Sequence, residues 1–193
     1  MQDLSETRKK ISHYLTDVPA ALLAKTGISP NALSLFGFSL SLIAAALIAL
    51  DLFIAAGVTI LIASFFDMLD GALARKTNGE TRFGAFLDSM LDRLSEGFFF
   101  LAIVFTFTRT GQATWVLITT ATLLITQLVS YSRARAEAIG IDCKVGLFTR
   151  AERVIILAVG ILINQLEIAL MIILVFSLAS LVQRVIFTLQ KTK

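Results

Sequence analysis

The sequence predicts an all-α, polytopic membrane protein: six transmembrane helices preceded by an amphipathic helix on the membrane surface. Three observations lead there. Of 193 residues, 56% are hydrophobic and the mean hydropathy is +0.83, against about 45–50% apolar residues in soluble domains. The apolar residues are gathered into long runs, and about 20 of them in helix span the hydrocarbon core. Charges make up only 16% of the chain and cluster between the runs. With two prolines and no low-complexity segment, the chain reads as one domain over 1–193. It divides into a juxtamembrane segment, 1–28, and a helical bundle, 29–188.

The polar segment from Met1 to Lys25 alternates Leu4, Ile11, Tyr14, Leu15, Ala20, Leu22 and Leu23 with charges. That pattern suits a helix lying in the interface and equally a soluble helical cap. It lacks the apolar stretch of a signal peptide, so no cleaved leader is expected. Ser29 and Pro30 then form a helix start, cap and first-turn proline. The first span follows from about Asn31 to Leu50, the second from Leu52 to Asp67 and the third from Phe83 to Phe107. The fourth runs from Ala113 to Tyr131, the fifth from Val154 to Ile163 and the sixth from Ile168 to Val182.

Six spans put both termini on one side, together with the links after the second and fourth spans. Of 17 lysines and arginines, Arg109 alone then falls on the other side. The positive-inside rule makes the basic side cytoplasmic. The chain is thus expected in the cell membrane, with both termini and the active site facing the cytoplasm. One cysteine, Cys143, and one histidine, His13, exclude an internal disulfide and a Cys/His metal cluster. The net charge of +3 is small, and no nucleic-acid partner is expected.

Asp67, Asp70, Asp88 and Asp92 interrupt otherwise apolar helices. A carboxylate at membrane depth is costly unless paired or metal-bound, which makes it a functional candidate. The i,i+3 and i,i+4 spacings set each pair on one helix face. The short link Lys76–Arg82 makes the two helices antiparallel neighbours, so the pairs meet near the cytoplasmic surface. Four like charges would repel, and a divalent cation relieves this. Oxygen ligands alone favour Mg2+, Mn2+ or Ca2+ over zinc, with room for two ions clamping a pyrophosphate. The bland alternative is four helix-end aspartates paired with Arg75, Arg82 or Arg93. Gly71, Gly84, Ala72, Ala74 and Ala85 make small patches beside the acids, suited to close helix packing or to a bulky phosphate ligand.

Read as it stands, the segment is Asp67-x2-Asp70-Gly71-x2-Ala74-Arg75-x8-Gly84-x3-Asp88-x3-Asp92. It resembles the signature of the CDP-alcohol phosphatidyltransferases at all eight fixed positions. The resemblance implies a Mg2+- or Mn2+-dependent enzyme, usually a homodimer, that takes a CDP-linked lipid and an acceptor alcohol and releases CMP. It implies metal binding by Asp67, Asp70 and Asp88. Asp92 would be the base toward the acceptor hydroxyl and a further metal contact. Gly71, Ala74, Arg75 and Gly84, with Asp70, would surround the CDP-lipid. Asn31, in Ile28-Ser29-Pro30-Asn31, is similar to a recurrent family segment beside the nucleotide; helix capping explains it as well.

The second half carries Ser130-Tyr131-Ser132-Arg133-Ala134-Arg135-Ala136-Glu137 and Arg150-Ala151-Glu152-Arg153. Arginines bracketing a pocket suit a phosphorylated acceptor, because guanidinium binds phosphate bidentately. Arg133 and Arg135, two apart, point to nearly opposite sides of a helix. These runs resemble the phosphatidylinositol phosphate synthase branch of the family, where a lysine stands at the position of Arg133. The implied substrates are CDP-diacylglycerol and inositol 1-phosphate, with Ser130, Arg133, Arg135, Arg150 and Arg153 toward the acceptor phosphate. Arg184 is a further phosphate candidate, or a snorkelling helix-end arginine. An archaeal relative with a CDP-archaeol donor would look alike. Phosphatidylglycerophosphate synthase is the alternative within the family and a small cation transporter the alternative of another class. The transporter reading sits poorly with acids gathered at one face and with no internal repeat.

Overall fold

The computed structural model describes residues 16–192 and is helical throughout, with no strand among the described residues. Helix α1 occupies 16–24 and exposes Val18 and Leu22, four residues apart on one face. The rest of the expected surface helix, before residue 16, lies outside the described residues. Six helices follow: α2 (Pro30–Ala49), α3 (Phe53–Lys76), α4 (Arg82–Arg109), α5 (Ala113–Ala138), α6 (Arg150–Leu162) and α7 (Leu166–Lys191).

Local chemistry sets the boundaries. Ser29 caps α2, its side chain accepting from the Ala32 N–H at 3.2 Å, with Pro30 in the first turn. Thr81 caps α4 by accepting from the Gly84 N–H at 2.9 Å. Before α6, the Thr149 N–H donates to Glu152 Oε2 at 2.6 Å, half of a capping box. After α4 and α5 the chain turns at Gly111 and Gly140, both with positive φ, a conformation glycine adopts without steric cost.

Four of these helices, α2, α3, α5 and α7, are long and apolar enough to cross a membrane. The other two depart from a simple span. Helix α4 has the length, with 28 residues, but carries Asp88, Asp92, Arg93 and Glu96. Helix α6 begins at Arg150, ahead of the expected Val154, yet has only 13 residues. At 1.5 Å per residue that is about 20 Å, short of a hydrocarbon core of about 30 Å.

Helix α2 packs on α3 and α4, α3 on α6, α4 on α5, and α7 on α5 and α6. Ile48, Ile60, Phe99, Phe100, Ile103, Leu157, Ile161 and Leu170 form the core between them. Outward-facing positions remain apolar, as with Phe36, Ile54, Leu101 and Val175, which suits a lipid environment. The buried threonines of α5 satisfy themselves: Thr119 donates to Trp115 O at 2.7 Å and Thr122 to Ile118 O at 2.8 Å.

The α6–α7 hairpin depends on small residues. A Cβ at Gly160 would sit 2.3 Å from Ala169 Cβ on α7. Gly160→Val is therefore expected to force the hairpin apart and cost about 1–3 kcal/mol. A lowered Tm in detergent checks this, and an unchanged Tm would show that the hairpin gives way freely.

Candidate active site

The C-terminal end of α3, the N-terminal ends of α4 and α6 and the C-terminal ends of α5 and α7 lie at one end of the bundle. Asp67 is nine residues before the end of α3 and Asp92 ten after the start of α4, so each sits roughly 14–15 Å inside its helix. At that depth Asp67, Asp88 and Asp92 come together, each offering a carboxylate oxygen within 4.8 Å of the others. The i,i+4 spacing sets Asp88 and Asp92 on one face of α4; α3 and α4 do not pack on each other as closely as the short link between them suggested, and both pack instead on α2, which brings Asp67 opposite that face.

Asp70 does not join them. It is buried, and Ser34 Oγ of α2 donates to its Oδ2 at 2.5 Å. Instead it lines a cavity of about 500 Å³ together with Asn31, Gly71, Ala74, Arg75, Gly84 and Asp88. Every residue that the signature suggested for a CDP-lipid thus faces one space. A Cβ at Gly84 would come within 2.9 Å of Thr81 Oγ1 and 3.1 Å of Asn31 Oδ1, which explains a hydrogen as the side chain there.

A second cavity of about 300 Å³ opens on the other side of the acids. Asp92, Ser130, Arg133, Arg150, Arg153 and Arg184 line it; Arg135 does not. Arg133 reaches it while its Nε donates to Glu137 Oε1 at 2.8 Å on the same helix. The other arginines are already engaged. Arg150 Nη1 lies 2.8 Å from Asp67 Oδ2 and 2.5 Å from Asp92 Oδ1. Arg153 donates from Nε and Nη2 to both oxygens of Glu96, at 2.6 and 2.9 Å. Arg184 donates from Nε to the Val145 carbonyl at 3.0 Å and from Nη1 to the Val129 carbonyl. That ties the loop between α5 and α6 to α7, and α7 to α5.

Sequence reasoning did not single out Ser34 or Glu96. Ser34 follows Asn31 by three residues and Glu96 follows Asp92 by four, so the helical period alone sets each on a face already marked. Arg93, which the sequence offered as an orienting charge or a partner for the aspartates, also lines the second cavity, next to Asp92 in sequence.

The donor set fits a hard divalent cation. It is all carboxylate oxygen, and Asp92 Oδ1 is buried with no hydrogen-bond partner. Cys143 is not among the ligands gathered from the described residues.

Comparison with known proteins agrees. The sequence profile of the CDP-alcohol phosphatidyltransferases matches residues 27–187. The chain is 38% identical over 183 residues to archaetidylinositol phosphate synthase from Pyrococcus horikoshii, covering 94% of each. Its fold superposes on the crystal structure of Mycobacterium tuberculosis phosphatidylinositol phosphate synthase with CDP-DAG bound. The TM-score is 0.83 at 31% identity, over 90% of this chain and 92% of that one. The same enzyme in complex with manganese and citrate superposes with a TM-score of 0.80, over 90% and 88% at 31% identity. The apolar helices and the family together make this a multi-pass membrane protein. With its eight-position signature folded around one acidic cluster and the profile spanning most of its length, the chain belongs to the CDP-alcohol phosphatidyltransferase family.

Proposed function

We propose that the chain transfers the phosphatidyl group of CDP-diacylglycerol to inositol 1-phosphate and releases CMP. One observation carries the reading: two cavities meet at the acidic cluster. Asp88 lines the one with the small-residue signature, and Asp92 lines the one with four candidate arginines. A donor on one side and a phosphorylated acceptor on the other would meet beside Asp92.

Asp67, Asp88 and Asp92, with Asp70 close by, would hold Mg2+ or Mn2+, one ion or two. A metal bound there would supply positive charge to offset the negative charge that grows as CMP departs. Asp92 faces the acceptor cavity and would take the proton of the attacking hydroxyl, whose oxygen then bonds the lipid-linked phosphorus as the bond to CMP breaks. Ser130, Arg133, Arg150, Arg153 and Arg184 would hold the acceptor's phosphate. Gly71, Ala74, Arg75, Gly84 and Asn31 would hold the CDP group. Six membrane crossings in a single domain, with α1 on the surface, would set this end in the cytoplasm. The functional unit is a homodimer, as is usual for the family.

The test is CMP release by the purified protein with Mg2+ or Mn2+. CDP-diacylglycerol and CDP-archaeol serve as donors, and inositol 1-phosphate, free inositol and glycerol 3-phosphate as acceptors. Release only with inositol 1-phosphate is expected; release only with glycerol 3-phosphate would overturn the acceptor. The archaeol arm matters because the Pyrococcus relative is named for an archaetidyl product. Within this reading Arg133→Ala raises the KM for the acceptor about 10-fold or more, the worth of a charge-assisted hydrogen bond. Arg135→Ala, outside the cavity, leaves KM unchanged. Equal effects of the two substitutions would mean that neither arginine holds the phosphate.

A further inference from the structure

Arg150 reaches both sides of the acidic cluster. It is the first residue of α6 and lines two spaces. One is the narrow chamber beside Asp67 and Asp88; the other is the arginine-rich acceptor cavity. Its Nη1 approaches Asp67 Oδ2 at 2.8 Å and Asp92 Oδ1 at 2.5 Å. These belong to two of the three carboxylates gathered within 4.8 Å. A divalent cation on those carboxylates would seek the same oxygens and carry charge of the same sign as Arg150. The two cations compete at close range.

The Arg150 contact is also incompletely satisfied. Arg150 Nε and Asp92 Oδ1 are both buried without a hydrogen-bond partner, so the 2.5 Å approach to Asp92 is an ion pair out of hydrogen-bonding alignment. Unmade bonds at buried polar atoms are costly. One turn further along α6 the situation is the reverse. Arg153 is paired with both oxygens of Glu96 and is 2% exposed. The helix backbone is therefore pinned on α4, while the Arg150 side chain borders the acceptor cavity.

We infer that Arg150 is a tethered counter-ion of the acidic cluster, which yields its place to the divalent cation and turns its guanidinium into the acceptor cavity. Metal loading then completes the site for the acceptor's phosphate. The inference rests on the proposed metal and phosphate sites and adds an order to their filling. While Arg150 holds the cluster it offsets repulsion among the carboxylates. Once displaced, it gains a new anion to bind. By linkage, metal and acceptor each tighten the other's binding by the same factor.

The test is a titration of the full-length protein in detergent with Mn2+, followed by calorimetry, without CDP-lipid. Arg150→Gln keeps a polar side chain and removes the competing charge. It is expected to bind Mn2+ about five-fold or more tightly than wild type, the scale of a typical coupling between sites. Its Tm in EDTA is expected to fall, and the gap to wild type to narrow at saturating Mn2+. Unchanged or weaker Mn2+ binding by Arg150→Gln would overturn the inference and leave the metal site standing. Failure of wild type to bind Mn2+, or binding indifferent to Asp67→Asn, would instead overturn the metal reading itself. A measurement on wild type alone covers the case of a variant that does not fold. Inositol 1-phosphate is expected to bind at least five-fold more tightly with Mn2+ present than in EDTA, and equal affinities would overturn the inference.

Discussion

Asp92→Asn is expected to abolish CMP release, by about 10²–10⁴-fold in kcat if its role is proton transfer, while the protein still folds. Asparagine has the same shape and accepts a hydrogen bond, but it takes no proton at neutral pH. The site around position 92 tolerates the change in size: Asp92 borders the 300 Å³ cavity and leaves Oδ1 without a hydrogen-bond partner. Asp67 and Asp88 remain as carboxylates, so Mn2+ binding is expected to weaken without vanishing. The measurement is kcat and KM for both substrates, beside Tm and Mn2+ affinity. A kcat loss with KM for the CDP-lipid near wild type assigns Asp92 to the chemical step. Retained kcat would remove Asp92 as the base and leave the acceptor hydroxyl to another group. Ser34→Ala makes a useful contrast. It takes the donor from Asp70, which lies apart from the three gathered carboxylates, and is expected to act on donor KM more than on kcat.

How far the sequence reaches depends on the kind of physics asked of it. The helices were readable because a bilayer demands long apolar runs, and the turns carry glycine, serine or proline where the backbone needs them. The acidic cluster was readable because helical period converts spacing into a shared face. Two features were not legible for the same underlying reason: both depend on how far one helix slides and rotates against another. Asp70 shares a face with Asp67 in sequence, but the partner of its carboxylate, Ser34 on α2, comes from packing alone. The arginines were legible as candidates for holding a phosphate, but not their partners in the fold. Glu96 on α4 and the carbonyls of Val129 and Val145 are brought to Arg153 and Arg184 by packing alone. Helix α6 shows a further limit. Its apolar run marks it as a span, but hydropathy does not register that the helix has only 13 residues, Arg150 and Arg153 included.

Glu96→Ala is expected to destabilise the fold more than any change to the exposed charges. Glu96 and Arg153 are each 2% exposed and meet through two parallel hydrogen bonds across α4 and α6. Removing one member of such a pair leaves the other as an uncompensated buried charge, a loss of about 3–5 kcal/mol. By comparison Arg109 and Asp51, paired at the opposite end with both side chains more than two-fifths exposed, are worth about 1 kcal/mol or less. The large loss measures breakage and does not establish that the pair is stabilising as such. Replacing both partners with apolar residues of similar size, Glu96→Leu with Arg153→Met, is expected to recover much of the stability, because no buried charge is then unpaired. The double variant also lacks the guanidinium that faces the acceptor cavity, so it is expected to fold but to bind inositol 1-phosphate poorly, with a raised KM. Tm and KM measured on the same three proteins separate the two roles. A double variant restored in both would make the pair a packing feature, whereas one restored in Tm alone shows that the Arg153 guanidinium is needed for the substrate.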